Sequence, residues 1–413
     1  MPAPHRNEFE KIVCSGRWHF LDGEKGPEAV RKALALKQID RFWSEFKASK
    51  LCQVRARAAL RDNIGAPWMF EHFPIAEPPL EWELGFDQDE LSELSICRSE
   101  GFSQLRLTET FVERAGVIDG WKIYAGRVPL DLSRIDIRSA FESRWKRRLP
   151  PFTFELFKTP SNHIEIKFYS NEFRVESEDD DQATVFYLCE TLLGEQVSDR
   201  WVGLRETLFD ENLTVSDFDF KAKAEAFQTA FADMRQSILD ELPEQPYALW
   251  DCTRDFTTLQ VATPAQIADT SRDRRRWTIM TFWPEIFMGL SNRLFFSERF
   301  LKNGQRFAYL HLLDIIPEFS NEFRERFEDD IISALAAAEA GCMVGCGRGN
   351  PDSYYFDLCL TDVAKAIEVL REVCQRANLP STCWLRFYDW HWSQDWVRMF
   401  PDTPDLEDPE RLG

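Results

Sequence analysis

The residues most able to do chemistry are few and scattered. The densest feature is Gly341-Cys-Met-Val-Gly345-Cys-Gly347-Arg-Gly349. A glycine-rich turn can cradle a phosphate with backbone N–H groups. A Walker loop needs Gly-Lys-Ser/Thr, which is missing from this stretch, and a dinucleotide fingerprint needs its glycines to open a helix. Asn350, Pro351 and Asp352 instead carry the chain on toward a strand. The spacing therefore predicts a tight, twisted turn between two strands where side chains do not fit, presenting Arg348 and Asp352 at a surface.

Metal chemistry finds little support. Cys342 and Cys346 form a CxxxC without a second close pair, whereas structural zinc sites want four ligands in two close pairs. The six histidines (His5, His19, His72, His163, His311 and His391) include no pair at i+3 or i+4. Glu176 and Glu178 to Asp181 stand before an expected helix, where acids favour the macrodipole; they lack the alternation and glycine of a calcium loop. Serine occurs in no GxSxG setting. We expect no catalytic set, no cofactor and no metal. Arg144 to Arg148 and Arg272 to Arg276 lie beside Trp145 and Trp277. Such interleaving can bind single strands, but the chain is strongly acidic, so ion-paired surfaces are expected and no nucleic-acid partner.

One segment is unusually aromatic. Phe387-Tyr-Asp-Trp-His-Trp-Ser-Gln-Asp-Trp396 holds three Trp, one Tyr and one His in ten positions. Trp and Tyr are favoured anchors of protein interfaces. The alternative is a strap packed onto a domain seam. The candidate contact residues are Trp390, Trp392, Asp395 and Trp396, with Arg348 and Asp352 from the glycine turn. If the stretch is extended, His391 faces opposite to Trp390 and Trp392.

The elements that must position these groups follow from periodicity. Pro27 to Lys50 reads as a helix with Val30, Leu34, Ile39, Phe42, Trp43 and Phe46 near one face. Within 80–214, strands are expected at 80–85, 91–98, 121–128, 152–157, 164–170 and 201–208, and helices at 102–115, 135–148 and 183–194. They read as one open, mostly antiparallel sheet with helices on one face. A helix over 219–239 follows, then short strands at 259–261 and 278–282, with a charged loop over 271–277. The last third reads β-α-β-β-α-β, the ferredoxin-like order, with Thr361 as the N-cap of its second helix. The fold class is thus α+β, two sheet modules with helices on one face. The expected divisions are an N-terminal helical segment (1–79), a first sheet domain (80–214), a mixed connecting region (215–300), a ferredoxin-like domain (301–400) and an acidic, Pro-rich tail (401–413).

Composition sets the outer limits. At roughly 150 residues per domain, 413 residues suggest two or three domains. A hydrophobic content of 44% excludes disorder. A net charge of −20 disfavours nucleic acid and anionic lipid. The first ten residues show no apolar signal region, and no stretch approaches the ~18 apolar residues of a membrane helix. A soluble cytoplasmic protein without a membrane partner is expected.

Several motifs resemble a group of uncharacterised bacterial cytosolic proteins. Arg41-Phe-Trp-Ser-Glu-Phe46, Leu80-Glu-Trp-Glu-Leu-Gly85, Leu94-Ser-Ile-Cys97, Arg114-Ala115 and Gly120-Trp121 follow the order of its FWxxF and WExG module. Ala115-Gly116 stands where that group has Ala-Pro. Phe307-Ala-Tyr-Leu310, Gly341 to Gly349, Tyr354 to Leu358, Thr361-Asp362 and Leu385 to Asp389 follow a companion GxGxG/YxYxDL module. The resemblance implies no biochemical activity. By analogy such modules are similar to immunity or accessory proteins of toxin systems. The expectation is a non-enzymatic binding protein, possible partners including a basic protein toxin. The alternative is a small-ligand-binding or regulatory protein that uses the glycine turn as part of a pocket.

Overall fold

The computed structural model describes residues 12–13, 27–53, 65–74, 76–77, 79–86, 91–99, 104–173, 178–213, 218–244, 257–262, 276–281, 295–302, 304–313, 321–348, 353–392 and 395–404. The chain divides into two compact units. One holds residues 1–159 and 163–235, the other 160–162 and 236–413. The helical segment before residue 80 thus joins the first unit, and the stretch 215–300 is divided at Arg235/Gln236.

The first unit opens with β1 (Ile12–Val13), α1 (Pro27–Ala48), α2 (Lys50–Gln53), α3 (Gly65–His72) and β2 (Ala76–Glu77), the two short strands pairing parallel. Ile39, Phe42, Trp43 and Phe46 recur at helical spacing and are buried, whereas Val30 and Leu34 of the same expected face are exposed. Trp43 donates its indole N–H to the Phe111 carbonyl at 2.8 Å, so the large ring is buried with its polar atom satisfied.

Two ββαβ arrangements follow. The first is β3 (Leu80–Phe86), β4 (Ser92–Arg98), α4 (Leu105–Ala115) and β5 (Trp121–Ala125). After α5 (Ile137–Trp145) comes the second: β6 (Thr153–Lys158), β7 (Ile164–Ser170), α6 (Glu178–Leu193), α7 (Glu195–Trp201) and β8 (Val202–Phe209). In each, the first two strands pair antiparallel and the third lies parallel to the second. A helical crossover returns the chain to the same end of the sheet, which makes the added strand parallel. The single mostly antiparallel sheet expected over 80–214 is therefore two separate three-stranded mixed sheets. Helix α8 (Phe220–Glu241) places Phe227 against Phe154 and Phe168, with ring centroids at 5.1 and 5.6 Å.

The second unit is built on one seven-stranded sheet. Its elements are β9 (Thr257–Ala262), β10 (Arg276–Thr281), a 3₁₀ turn (Ser297–Arg299), β11 (Arg306–Leu312), α9 (Asn321–Ala337), β12 (Gly341–Arg348), β13 (Tyr354–Leu360), α10 (Val363–Arg376), β14 (Cys383–Phe387), a second 3₁₀ turn (Trp390–Trp392) and β15 (Trp396–Arg398). The strand order is β15-β14-β11-β13-β12-β10-β9, with every neighbouring pair antiparallel. Arg276 and Trp277, read from sequence as loop, belong to β10. The N-cap of α10 is Asp362, whose carboxylate accepts the Lys365 N–H at 3.0 Å, in place of the expected Thr361. Both helices cover one side of the sheet: Phe327 of α9 meets Phe356, and Cys374 of α10 lies 4.0 Å from Cys383, sulfur to sulfur. Phe356 and Cys383 share that side by register. The architecture is α+β, and among the described residues no helix is long and apolar enough to cross a membrane.

Candidate functional site

The aromatic segment that the sequence offered as a contact surface is mostly interior. Trp392, Asp395 and Trp396 are buried. The physical reason is Asp389. Its carboxylate accepts the Ser297 backbone N–H and the Ser297 hydroxyl, both at 2.6 Å, and draws the chain down onto the first 3₁₀ turn. Trp390 donates its backbone N–H to the Phe295 carbonyl at 2.9 Å. The Arg306 guanidinium stands 4.5 Å over the Trp392 ring, and Phe387 meets that ring edge-on. Trp396 joins Trp384 in a small core cluster. Residues 390–392 form a 3₁₀ turn and are not extended, so the condition for His391 to face opposite to the two Trp is not met, and His391 is buried against Phe296. Trp390 keeps partial exposure and Arg348 is exposed, its guanidinium 5.5 Å from the Tyr354 ring. Asp352 lies outside the described residues.

The glycine run is mostly strand. Gly341 to Arg348 make β12, paired with β13 on one side and β10 on the other. The register shifts between Met343 and Gly345, leaving Val344 as an inserted bulge. Cys342 is paired opposite Cys359 and Cys346 opposite Phe356. In an unbroken strand two residues four apart share a face. Across this bulge they do not: Cys346 turns toward Glu328 of α9, and Cys342 turns to the opposite side. The two thiols cannot share a metal.

The side of the sheet away from the helices carries the chemistry that sequence reading passed over. Register places Arg386, Tyr309, Asp357, Gly345 and Thr281 in one row across β14, β11, β13, β12 and β10. Trp384, His311, Tyr355 and Gly347 form the next row. Asp357 and His311 are each 1% exposed, whereas Tyr309 and Arg386 are half-buried. Tyr388 donates its hydroxyl to Asp357 Oδ1, while Oδ2 has no partner. Neither ring nitrogen of His311 has one, and the ring stacks on Tyr355 at 4.5 Å. Burial pushes the Asp357 carboxyl up to about 7. Burial, with the nearby Arg386 charge, pushes His311 down to about 3, so the imidazole is neutral. The signal was present in sequence: Asp357 in YYFDLCL, Arg386 in CWLRF and His311 in RFAYLHL are each polar groups inside otherwise apolar or aromatic strands.

The first unit holds a second polar cluster. Arg98, at the end of β4, meets Asp199 at 2.5 Å, Glu195 at 3.1 Å and Glu190 at 3.3 Å. Arg127, just after β5, meets Glu195 at 3.2 Å, Glu83 at 3.1 Å and Glu81. Arg144 of the basic cluster pairs with Glu83 at 2.7 Å, and Arg147 with Asp180 at 3.1 Å. These pairs give Arg144 to Arg148 the ion-paired character expected from sequence. Burial raises the acids above their usual range, most of all Asp199, to about 7. Carboxylates already occupy both guanidinium groups, so the cluster ties α6 and α7 to the ends of β4 and β5.

Among the described residues no group of three or more His, Cys, Asp or Glu is placed to hold a metal ion. No family model matches the chain, and none of the curated proteins or solved structures matches it either.

Proposed function

We propose that the chain is a non-enzymatic cytoplasmic binding protein whose partner is a basic protein, in the manner of an immunity protein that neutralises a bacterial toxin. The outer surface of α9 and α10 carries this reading. Glu322, Glu325 and Asp329 follow one exposed stripe of α9 that ends at Ile332, which is 44% exposed. Asp330 lies beside the stripe, and α10 adds exposed Glu368 and Glu372; the exposed bases on these two helices are Arg326, Lys365 and Arg376. Six acids against three bases at the exposed positions of these two helices suit a positively charged partner, with charge steering the encounter and the exposed Ile332 giving an anchor. The interface moves accordingly from the buried Trp392, Asp395 and Trp396 to the helical layer.

For the second unit we read β11 to β14 with α9 and α10 as a ferredoxin-like core, with β15 added at one edge and β10 and β9 at the other. The support is the β-α-β-β-α-β order with β14-β11-β13-β12 adjacency. In that arrangement the helices form one layer of the unit, and the acids named above lie at exposed positions on it.

Affinity capture from the native host, followed by salt titration of the recovered protein, tests the function. The expected partner is basic, and its affinity falls with ionic strength. Charge reversal at Asp329→Lys and Asp330→Lys weakens it by about tenfold or more. Equal binding by the reversed variant sinks the reading, as does turnover of a metabolite by the purified chain.

A further inference from the structure

The row Arg386–Tyr309–Asp357 invites a ligand. Arg386 lies over the Tyr309 ring at 5.5 Å and has no carboxylate partner among the described residues. In a chain with 70 acids and 50 bases, a guanidinium without an acid is a notable vacancy. The Tyr309 hydroxyl has no hydrogen-bond partner among the described residues either. Behind this half-buried rim stand Asp357 Oδ2 and both nitrogens of His311, all without partners and almost fully buried. Buried polar atoms are nearly always hydrogen-bonded, and the exceptions ask for an explanation. Two such groups diagonal to each other on β11 and β13, next to a rim that is also unpaired, point to one guest that satisfies them together. Gly345 and Gly347 stand opposite Asp357 and Tyr355 on β12 and put no side chain in the way.

We propose that this face of the seven-stranded sheet binds a small carboxylate that also carries an N–H or O–H donor, an amino acid or hydroxy acid in size. Arg386 and Tyr309 take the carboxylate at the rim. Asp357 accepts from the donor end, and His311 adds a neutral imidazole beside it. The planar guanidinium fork matches a carboxylate with two parallel hydrogen bonds. Arg386 and Asp357 lie on strands either side of β11, about 10 Å apart between backbones at the usual strand spacing. The Arg386 guanidinium leans inward over the Tyr309 ring, which shortens that span toward the length of a small bifunctional acid. A multiply charged anion fits poorly, because Asp357 and the neutral His311 offer its second charge nothing.

The test is calorimetric titration of the full chain with the common amino acids, with small hydroxy acids, and with inorganic phosphate. At least one amino or hydroxy acid should bind, and raise the unfolding temperature, while phosphate does not compete. Arg386→Met should weaken that ligand by about tenfold or more, and Arg386→Lys by less, because the charge stays and the fork is lost. Since Arg386 is half-buried and without an acid partner, both variants should unfold at the wild-type temperature. Asp329→Lys, on the helical side, should leave this binding unchanged. The proposal fails if no amino or hydroxy acid binds, if Arg386→Met binds as well as wild type, or if phosphate competes equally.

Discussion

Glu195 and Arg127 hold each other three ways. The Glu195 carboxylate accepts the Arg127 backbone N–H at 3.3 Å and its guanidinium Nη1–H at 3.2 Å, and the Glu195 backbone N–H returns to the Arg127 carbonyl at 2.9 Å. The same carboxylate accepts the Arg98 backbone N–H at 3.2 Å. One side chain thus gathers the ends of two parallel strands, a position where α/β proteins often hold a bound anion.

Removing that carboxylate should be severe. Breaking a buried ion pair leaves an uncompensated charge and destabilises by about 3–5 kcal/mol. Glu195→Ala should lower the urea midpoint of the first unit accordingly. Glu195→Gln, which keeps an acceptor oxygen, should lose less. A wild-type midpoint for the Ala variant would show that the clamp contributes nothing.

Gly194 precedes the clamp with φ +80, and a Cβ there would come within 2.9 Å of the Arg127 carbonyl oxygen. Gly194→Ala is therefore strained both in its backbone and by a clash with main chain. We expect a loss of about 1–3 kcal/mol, read as a lower unfolding temperature.

Stability should fall as pH rises through neutrality. Asp199 sits among Arg98, Arg205, Glu190 and Glu195, and burial raises its carboxyl from an ordinary 3.8 to about 7 in the folded chain. Glu190 and Glu195 are raised in the same direction. The folded chain then keeps protons that the unfolded chain has released, so stability is greatest at lower pH and is lost as these acids ionise. Asp357 acts with the same sign in the second unit. His311 opposes it: lowered from 6.5 to about 3, it adds stability as pH climbs between those values and is constant above them. Urea unfolding across pH ~6.5 to ~8 isolates the carboxylates. Asp199→Asn should flatten the slope of the first unit, and an unchanged slope would refute the assignment.

Trp396 should matter for folding. It is 3% exposed and packed on Trp384. Trp396→Ala should cost about 3–5 kcal/mol, seen in thermal unfolding. A folded variant of normal stability that loses only a partner would restore the surface role.

The local pattern announced most elements because each is a short-range property. Short, nearly continuous apolar runs marked β11, β13 and β14, and helical spacing marked Ile39, Phe42, Trp43 and Phe46. What it could not announce is pairing between distant strands. β9 and β10 read as isolated strands in a charged region, yet extend the sheet beyond β12. The role of the aromatic segment was hidden for a similar reason. Trp serves cores and interfaces equally, and the choice was made by Asp389 reaching Ser297, a contact across 92 positions of sequence. The polar row of Arg386, Tyr309 and Asp357 was legible only as three odd residues in three strands; register made them neighbours.

The bulge at Val344 gives β12 one residue of slack. Deleting a single residue there converts bulged pairing to regular pairing, and Gly345, Cys346 and Gly347 keep their present sides. Adding a residue to the regular part of the strand exchanges them, because side alternates with every residue. Cys346 would then stand beside Asp357 and the glycines would lie beneath α9. Length variation in this strand is therefore directional: it tolerates shortening and resists growth.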